Sequence, residues 1–170
     1  MYKEYSPCSI LAPFIYHFWE YKGETRSGLK FNIPPHGCSD FVFIVGNAAD
    51  CIRNSLIMKP YHSYFFGPMN TFTELVAHTN FIHIIGVRFR PCGLFRFIDI
   101  PLNELTNQGI DSQEFPVLFS QSFIYQLCES NQNPIDTIEY ELVRQVYKKT
   151  TETEKQISYA VSLISRQKGI

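Results

Sequence analysis

The nine residues FIHIIGVRF, at positions 81–89, carry the strongest fold signal in the chain. Apolar side chains, many of them β-branched or aromatic, continue through almost the whole stretch, which is typical of a β-strand covered on both faces. Side chains alternate between the two faces of a strand. One face carries Phe81, His83, Ile85, Val87 and Phe89, and the other carries Ile82, Ile84, Gly86, Arg88 and Arg90. We therefore predict a central strand over residues 81–89.

The rest of the chain divides near Pro91 into strands before it and helices after it. Short runs rich in β-branched and aromatic residues alternate with Gly, Pro and Asn turns, a spacing typical of a sandwich or barrel. The predicted strands are Phe14–Tyr21, Leu29–Ile33, Asp40–Val45, Ser63–Phe66 and Phe72–Ala77. After Pro91 the apolar period becomes helical. It predicts short helical turns at Gly93–Ile98 and Leu102–Thr106, and amphipathic helices at about 116–128 and 136–149, with Asp136 as an N-cap.

Charge is distributed unevenly along the sequence. Residues 1–147 contain 10 Lys or Arg and 14 Asp or Glu, whereas residues 148–170 contain 5 and 2. Residues 148–156 are polar and predict a linker, and Ile157, Ala160, Val161 and Ile164 then follow a helical period. We expect a domain over residues 1–147, a linker, and a helix in residues 157–170 that begins a second, basic unit.

Composition excludes several classes of protein. The 15 Phe, 10 Tyr and 1 Trp exclude a disordered chain, and a net charge of -1 argues against a free-standing nucleic-acid binder. The longest early uncharged run, residues 5–19, contains two prolines and is too short to span a membrane. Five scattered cysteines form no C-x-x-C pair. We expect a cytoplasmic protein with no contact to a membrane.

No catalytic motif is present in the sequence. The nucleotide-binding glycine patterns, G-x-S-x-G and H-E-x-x-H are all absent. The five histidines never show the i, i+2 spacing that places two imidazoles on one face of a strand. We therefore expect no catalytic residues, no metal and no cofactor.

Asp40 and Arg88 are the charged residues most unusual in their setting, because each stands at the end of an apolar strand. Burying either charge alone is costly, so we expect the two to form an ion pair. Two roles remain open for Arg88: a salt bridge that fixes strand register, or a guanidinium that binds a ligand.

Four stretches resemble one known family when taken in order. They are Tyr5-x-Pro7 with Leu11, Phe14 and Trp19; Pro35-His36-Gly37 with Asp40-Phe41-Val42-Phe43; residues 86–93, which include G-V-R-F-R-P; and residues 101–107. Together they are similar to the N-terminal sensory domain of AraC-type bacterial transcription regulators. The pattern Ile157-x-x-Ala160-Val161-x-x-Ile164, with Gly169, resembles the first helix of the DNA-binding half of that family.

The resemblance implies an α+β fold, with a cupin-like double-stranded β-helix barrel followed by packed amphipathic helices. It also implies a domain that binds a small-molecule effector inside the barrel or dimerises through its helices, and thereby changes how a helix-turn-helix domain is presented. We predict a homodimer through residues 116–149. The sequence ends before any recognition helix, so contact with DNA is expected only through a C-terminal domain that follows this chain.

Two sets of residues are candidates for these roles. Ligand-binding candidates, which are expected to point into the barrel, are Trp19, Tyr21, His36, Phe43, Phe66, His83 and Arg88. The alternative for the aromatic ones is plain core packing. His83 and Arg88 fall on opposite faces of their strand, so at most one of them is expected to line the interior. The predicted dimer surface consists of Phe123, Leu142, Val146 and Tyr147.

Two other functions remain open at this point. One is a cupin-like metal-dependent enzyme, such as an isomerase or dioxygenase, which requires metal ligands on the strands. The other is a metabolite-binding module with no DNA-binding partner.

Overall fold

The fold combines ten strands with two helices in the part of the chain that the structure, a computed structural model, describes. That part comprises residues 1–46, 49–51, 56–91, 93–98, 101–114, 118–148, 159–160 and 163. The strands are β1 (Tyr2–Tyr5), β2 (Ile15–Glu24), β3 (Lys30–Ile33), β4 (Asp40–Ile44), β5 (Ala49–Cys51), β6 (Leu56–Met58), β7 (Ser63–Phe66), β8 (Thr73–Ala77), β9 (Phe81–Phe89) and β10 (Gly109–Asp111). The helices are α1 (Gln121–Glu129) and α2 (Pro134–Lys148), and short 3-10 turns cover Gly93–Arg96, Leu102–Leu105 and Ser112–Glu114.

The strands form two antiparallel sheets. A six-stranded sheet has the order β1-β2-β9-β4-β7-β10, and a four-stranded sheet has the order β3-β8-β5-β6. Strand β9 pairs with β2 on one side and β4 on the other, which confirms both its predicted limits and its central position. The α+β class is therefore confirmed at the level of antiparallel sheets with two helices.

The six-stranded sheet separates two cores. On one face, Ile85, Val87 and Phe89 pack with apolar residues of both helices. On the other face, Ile82 and Ile84 pack with side chains of the four-stranded sheet. The layers are therefore helices, large sheet and small sheet, and both faces of β9 are covered.

Several elements differ from the sequence prediction. Strands β1, β5, β6 and β10, each three or four residues long, were not predicted. Helix α1 begins at Gln121 instead of 116, because the Ser120 side chain accepts a hydrogen bond from the Phe123 N–H and caps it there.

The start of α2 corrects a second prediction. The Ile135 N–H donates to Asn133 Oδ1, so Asn133 fills the capping position that was predicted for Asp136. Asp136 lies in the first turn of the helix, where its negative charge still favours the helix dipole.

The predicted dimer surface is split by the packing of α2. Leu142 is fully buried and Val146 partly buried in the helix-side core, because both lie on the stripe that faces the sheet. Leu142 therefore cannot contribute to an exposed surface, whereas Tyr140 and Tyr147 are 73% and 71% exposed.

The tail predictions fall mainly outside the described residues. Lys148, the first residue of the predicted linker 148–156, ends α2, and residues 149–156 are not described. Within the predicted helix 157–170, the described positions Tyr159, Ala160 and Leu163 are helical. Across the described ranges, no helix is both long enough and apolar enough to cross a membrane.

Candidate functional site

A cavity of about 170 Å³, partly open to solvent, lies between the two sheets on the side away from the helices. Its walls are Tyr2, Trp19, Tyr21, Phe31, Ile33, Leu75, Ile82, Ile84 and Arg88. A smaller lobe of about 50 Å³ shares Trp19, Ile33, Leu75, Ile84 and Arg88 and adds Asp40, Val42, Met58, Phe66, Met69 and Thr73. The site is therefore an apolar chamber with a few polar groups concentrated around the lobe.

Strand register determines which side chains of the large sheet reach the cavity. Trp19 lies opposite Gly86, and Tyr21 opposite Ile84, on the paired strands β2 and β9. Because alternate residues share a face, the cavity side of β9 is the side that carries Arg88.

The indole of Trp19 lies directly against Gly86, where any side chain would occupy the same space. A Cβ atom at residue 86 would lie 2.0 Å from Trp19 Cε2 and 2.3 Å from its Nε1. A glycine in the interior of a central strand often marks such a close approach. The ring also stacks on Tyr2, with centroids 6.3 Å apart, so it forms one wall of the chamber.

Asp40 is the polar centre of the site. Its side chain is almost fully buried and accepts from Arg88 Nε at 3.0 Å, from Arg88 Nη2 at 2.9 Å and from Trp19 Nε1 at 3.3 Å. Burial alone would raise the pKa of Asp40, but hydrogen bonds from His36 and Arg88 hold that pKa below its ordinary value. The carboxylate is therefore ionised and stabilises the guanidinium beside it.

His36 adds a further contact from the turn before β4. The Cys38 N–H donates to His36 Nδ1 at 3.2 Å, so the imidazole proton lies on Nε2, which is 3.3 Å from Asp40 Oδ2. In this arrangement the ring is neutral and donates to the carboxylate. The contact of 3.4 Å between His36 Nε2 and Arg88 then joins two donors and is not a hydrogen bond.

His17 and Tyr2 lie at the edge of this cluster. His17 is paired with Arg88 across the strands, and its Nε2 is buried with no hydrogen-bond partner among the described residues. Burial lowers the pKa of His17, although Glu4, at 3.8 Å, acts in the opposite direction. Burial and a hydrogen bond to Glu4 raise the pKa of Tyr2 to about 12, so its hydroxyl stays protonated.

Two donors in the site have no partner within the part of the chain that the structure describes. Arg88 uses Nε and Nη2 on Asp40, and its Nη1 makes no hydrogen bond there. Thr73 is 2% exposed and lines the small lobe, and its hydroxyl likewise has no hydrogen-bond partner. Buried polar groups are normally satisfied, so the buried Thr73 hydroxyl suggests a place where a ligand supplies the missing contact. The Arg88 side chain beside it is 22% exposed.

The predicted ligand-binding residues divide between the two faces of the large sheet. The cavity or its lobe is lined by four of them, namely Trp19, Tyr21, Phe66 and Arg88. His36 is not among the lining residues, but its Nε2 lies 3.3 Å from Asp40 Oδ2. Phe43 and His83 lie on the helix side. Phe43 packs in the helix-side core, and His83 Nε2 lies 2.8 Å from Glu20 Oε1. These two residues are therefore not part of the cavity wall.

Several wall residues were not among the candidates. Phe31, Leu75 and the isoleucines at 33, 82 and 84 lie within predicted strands, and their alternation gave a signal that they share a face. Tyr2 gave no such signal, because β1 is a four-residue strand with exposed side chains.

The possible metal ligands do not gather in the described part of the molecule. Within it, no three His, Cys, Asp or Glu side chains lie close enough to hold one ion. The histidines instead pair singly with carboxylates: His36 with Asp40, His62 with Asp111 and His83 with Glu20.

Comparison with known protein families gives a match over most of the described strands. Residues 3–111 match a family model described as a domain of unknown function, DUF6597. The matched segment ends with strand β10 and so contains nearly all of the strand region and every cavity residue except Tyr2, but neither helix. No curated protein matches the sequence.

Proposed function

The chain belongs to the DUF6597 family of domains of unknown function, and we propose that it is the sensory part of an AraC-type transcription regulator. In this proposal a small molecule binds in the cavity between the sheets. Its binding shifts the arrangement of a DNA-binding domain that follows the chain, in the cytoplasm. The role is binding and not catalysis.

The observation that carries the proposal is the cavity itself. Its walls are aromatic and aliphatic side chains, while a few polar groups converge at one end. Ligand sites for small molecules typically combine an apolar wall with a small number of placed polar groups. A chamber of this kind between two sheets supports a role in ligand recognition.

The arrangement of the strands supports the finer cupin-like assignment. Two antiparallel sheets face each other across one core, and Met58 and Ala77 of the small sheet pack there against Val42 and Ile84 of the large one. The helices follow the strands in sequence, the order that the resemblance to the sensory domains implies.

A dimer through the helices completes the proposal. Tyr140 and Tyr147 are prominently exposed on α2, and Phe123 and Tyr140 line a groove between the helices. A second copy would cover these rings. We expect light scattering to give a dimer for the native chain and a monomer for Tyr140→Ser/Tyr147→Ser, with Tyr16→Ser, an exposed tyrosine on β2, as the control. A native monomer at high concentration would contradict this part.

Ligand binding is tested with the only tryptophan in the chain. Trp19 lines the cavity, so its single indole N–H resonance in a nitrogen-15 spectrum reports directly on occupancy. We expect members of a metabolite library to move this resonance. Leu75→Phe, which fills the cavity, should abolish the response, whereas Val76→Phe, one residue further along β8 and on its other face, should retain it. Equal responses in the two variants would refute binding in this cavity.

The regulatory role needs a separate measurement. A gene product that continues beyond Ile170 should bind its promoter DNA with an affinity that changes when the cavity ligand is added. A DNA affinity unaffected by a ligand that moves the Trp19 resonance would favour a metabolite-binding module.

A further inference from the structure

We propose that the cavity selects a neutral molecule about the size of one substituted ring, whose acceptor oxygen receives hydrogen bonds from Arg88 Nη1 and the Thr73 hydroxyl. This inference rests on the proposed function, because it specifies the ligand of the same cavity.

The cavity opens partly to solvent, and its inner volume matches a small ring. An apolar cavity of about 150 Å³ accepts benzene, so about 170 Å³ has room for one ring. The rings of Tyr2, Trp19, Tyr21 and Phe31 form much of the wall, which favours a flat, apolar body. A short substituent on that body would reach the adjoining lobe of about 50 Å³.

The lobe is where the unpaired donors lie. Arg88 lines both the chamber and the lobe, and Thr73 lines the lobe. Neither Arg88 Nη1 nor the Thr73 hydroxyl has a hydrogen-bond partner among the described residues. A ligand without an acceptor would cover these donors and leave them unsatisfied, whereas an acceptor oxygen in the lobe would satisfy them.

The charge balance argues against an ionic ligand. Arg88 is the one cationic residue among those that line the two cavities, and its charge is already compensated by Asp40. His36 is neutral in its observed hydrogen bonding, and Glu4 adds a negative charge beside Tyr2. An anion would lose its hydration without meeting a net positive charge, and a cation would meet Arg88. A carbonyl oxygen fits the donors without either cost.

Three probes of nearly the same shape separate these possibilities. Acetophenone carries a carbonyl oxygen, α-methylstyrene replaces that oxygen with a methylene group, and benzoate replaces the methyl group with a charged oxygen. Each is titrated into the nitrogen-15-labelled protein while the Trp19 indole resonance is followed. We expect acetophenone to bind at least about tenfold more tightly than either of the others, the usual size of one hydrogen bond to a charged donor.

Two variants assign the effect to the donors. Thr73→Val keeps the shape of the side chain but removes the hydroxyl, and Arg88→Lys keeps a charge beside Asp40 but removes Nη1. Both should bring the affinity for acetophenone closer to that for α-methylstyrene. Arg90→Lys is the matched control, since Arg90 donates to the Ala12 carbonyl and does not line the cavity, and it should change nothing.

The outcomes distinguish this inference from the proposed function. If acetophenone and α-methylstyrene bind equally, the acceptor inference is wrong while binding in the cavity stands. If benzoate binds most tightly, the site selects anions and the inference is also overturned. If none of the three moves the indole resonance at saturating concentration, the inference fails, and the library screen then decides whether cavity binding fails with it.

Discussion

Replacing Gly86 with alanine should destabilise the protein, although this substitution in a strand normally favours folding slightly. The new Cβ would lie 2.0 Å from Trp19 Cε2, whereas carbon atoms pack at about 3.5 Å or more. The indole must therefore move by about 1.5 Å, because the backbone of β9 is held on both sides. A displacement of that size breaks the 3.3 Å hydrogen bond from Trp19 Nε1 to Asp40.

The magnitude follows from the contacts that the ring loses. A hydrogen bond to a charged group contributes about 1.5 to 3 kcal/mol, and an aromatic pair such as Trp19 with Tyr2 about 0.5 to 1.5 kcal/mol. We expect the free energy of unfolding to fall by about 3 kcal/mol for Gly86→Ala. Urea denaturation followed by circular dichroism measures this as a midpoint lowered by about 1 to 3 M.

A double-mutant cycle tests whether the indole is the cause. Trp19→Leu removes the atoms that the new Cβ would meet, so Gly86→Ala should cost at least 1.5 kcal/mol less in that background. Phe18→Leu is the control, because Phe18 is the neighbour of Trp19 on β2 but packs on the helix side. The reasoning would be refuted by equal costs of Gly86→Ala in the native and Trp19→Leu backgrounds.

Four further predictions concern polar groups. The folded-state pKa of Asp40 is depressed, so the stability that Asp40 contributes is present above its unfolded pKa and should be lost as the pH falls below about 5. Asp40→Asn should therefore flatten the dependence of the unfolding free energy on pH. Part of the remaining slope should come from Glu20, whose pKa is also lowered. Arg88→Met should cost about 3 kcal/mol in urea denaturation because Asp40 is left without its cation, and adding Asp40→Asn should recover part of this; an additive loss would contradict the pairing. Thr73→Val should leave the free energy of unfolding unchanged or raise it by up to about 1 kcal/mol, because a methyl group replaces a buried hydroxyl without a partner. A clear fall in melting temperature would show that the hydroxyl is satisfied. Asn133→Ala should cost about 1 kcal/mol through loss of the α2 cap, and no loss of helix stability by denaturant titration would reject that assignment.

The parts of the fold that were predictable are those with a long, regular pattern. The limits of β9 and β7 were predicted correctly, because alternating or continuous apolar residues end there at clear turn residues. Strand β1 was missed, because its residues are mostly exposed and pairing with β2 alone defines it.

The helix starts show a different limit of sequence patterns. Phe119 continues the apolar stripe of α1 and stacks on Phe123 with centroids 5.1 Å apart, yet it lies before the helix begins. Apolar spacing predicts which residues pack together. Capping by Ser120 decides where helical hydrogen bonding starts.

The candidate site was partly predictable for a geometric reason. Asp40 and Arg88 lie directly opposite each other on β4 and β9, so Val42 shares their face and Phe43 does not. If Asp40 and Arg88 are assumed to pair, alternation along β4 places Phe43 on the opposite face of the sheet, which is the helix side. The cavity itself could not have been predicted, since its size depends on how the small sheet packs over the large one.

The two walls of the cavity differ in what packs against their outer faces. Behind the wall formed by β2 lies the helix-side core, so a shift of its backbone at Trp19 would also disturb Phe18. On the outer face of the wall formed by β3 and β8, the exposed Lys30 pairs with the partly exposed Glu74. Substitutions at Phe31 and Leu75 therefore change the shape of the cavity without disturbing the helix-side core. We expect relatives that respond to different molecules, and engineered sensors with altered selectivity, to vary at these positions while the wall formed by β2 and β9 stays the same.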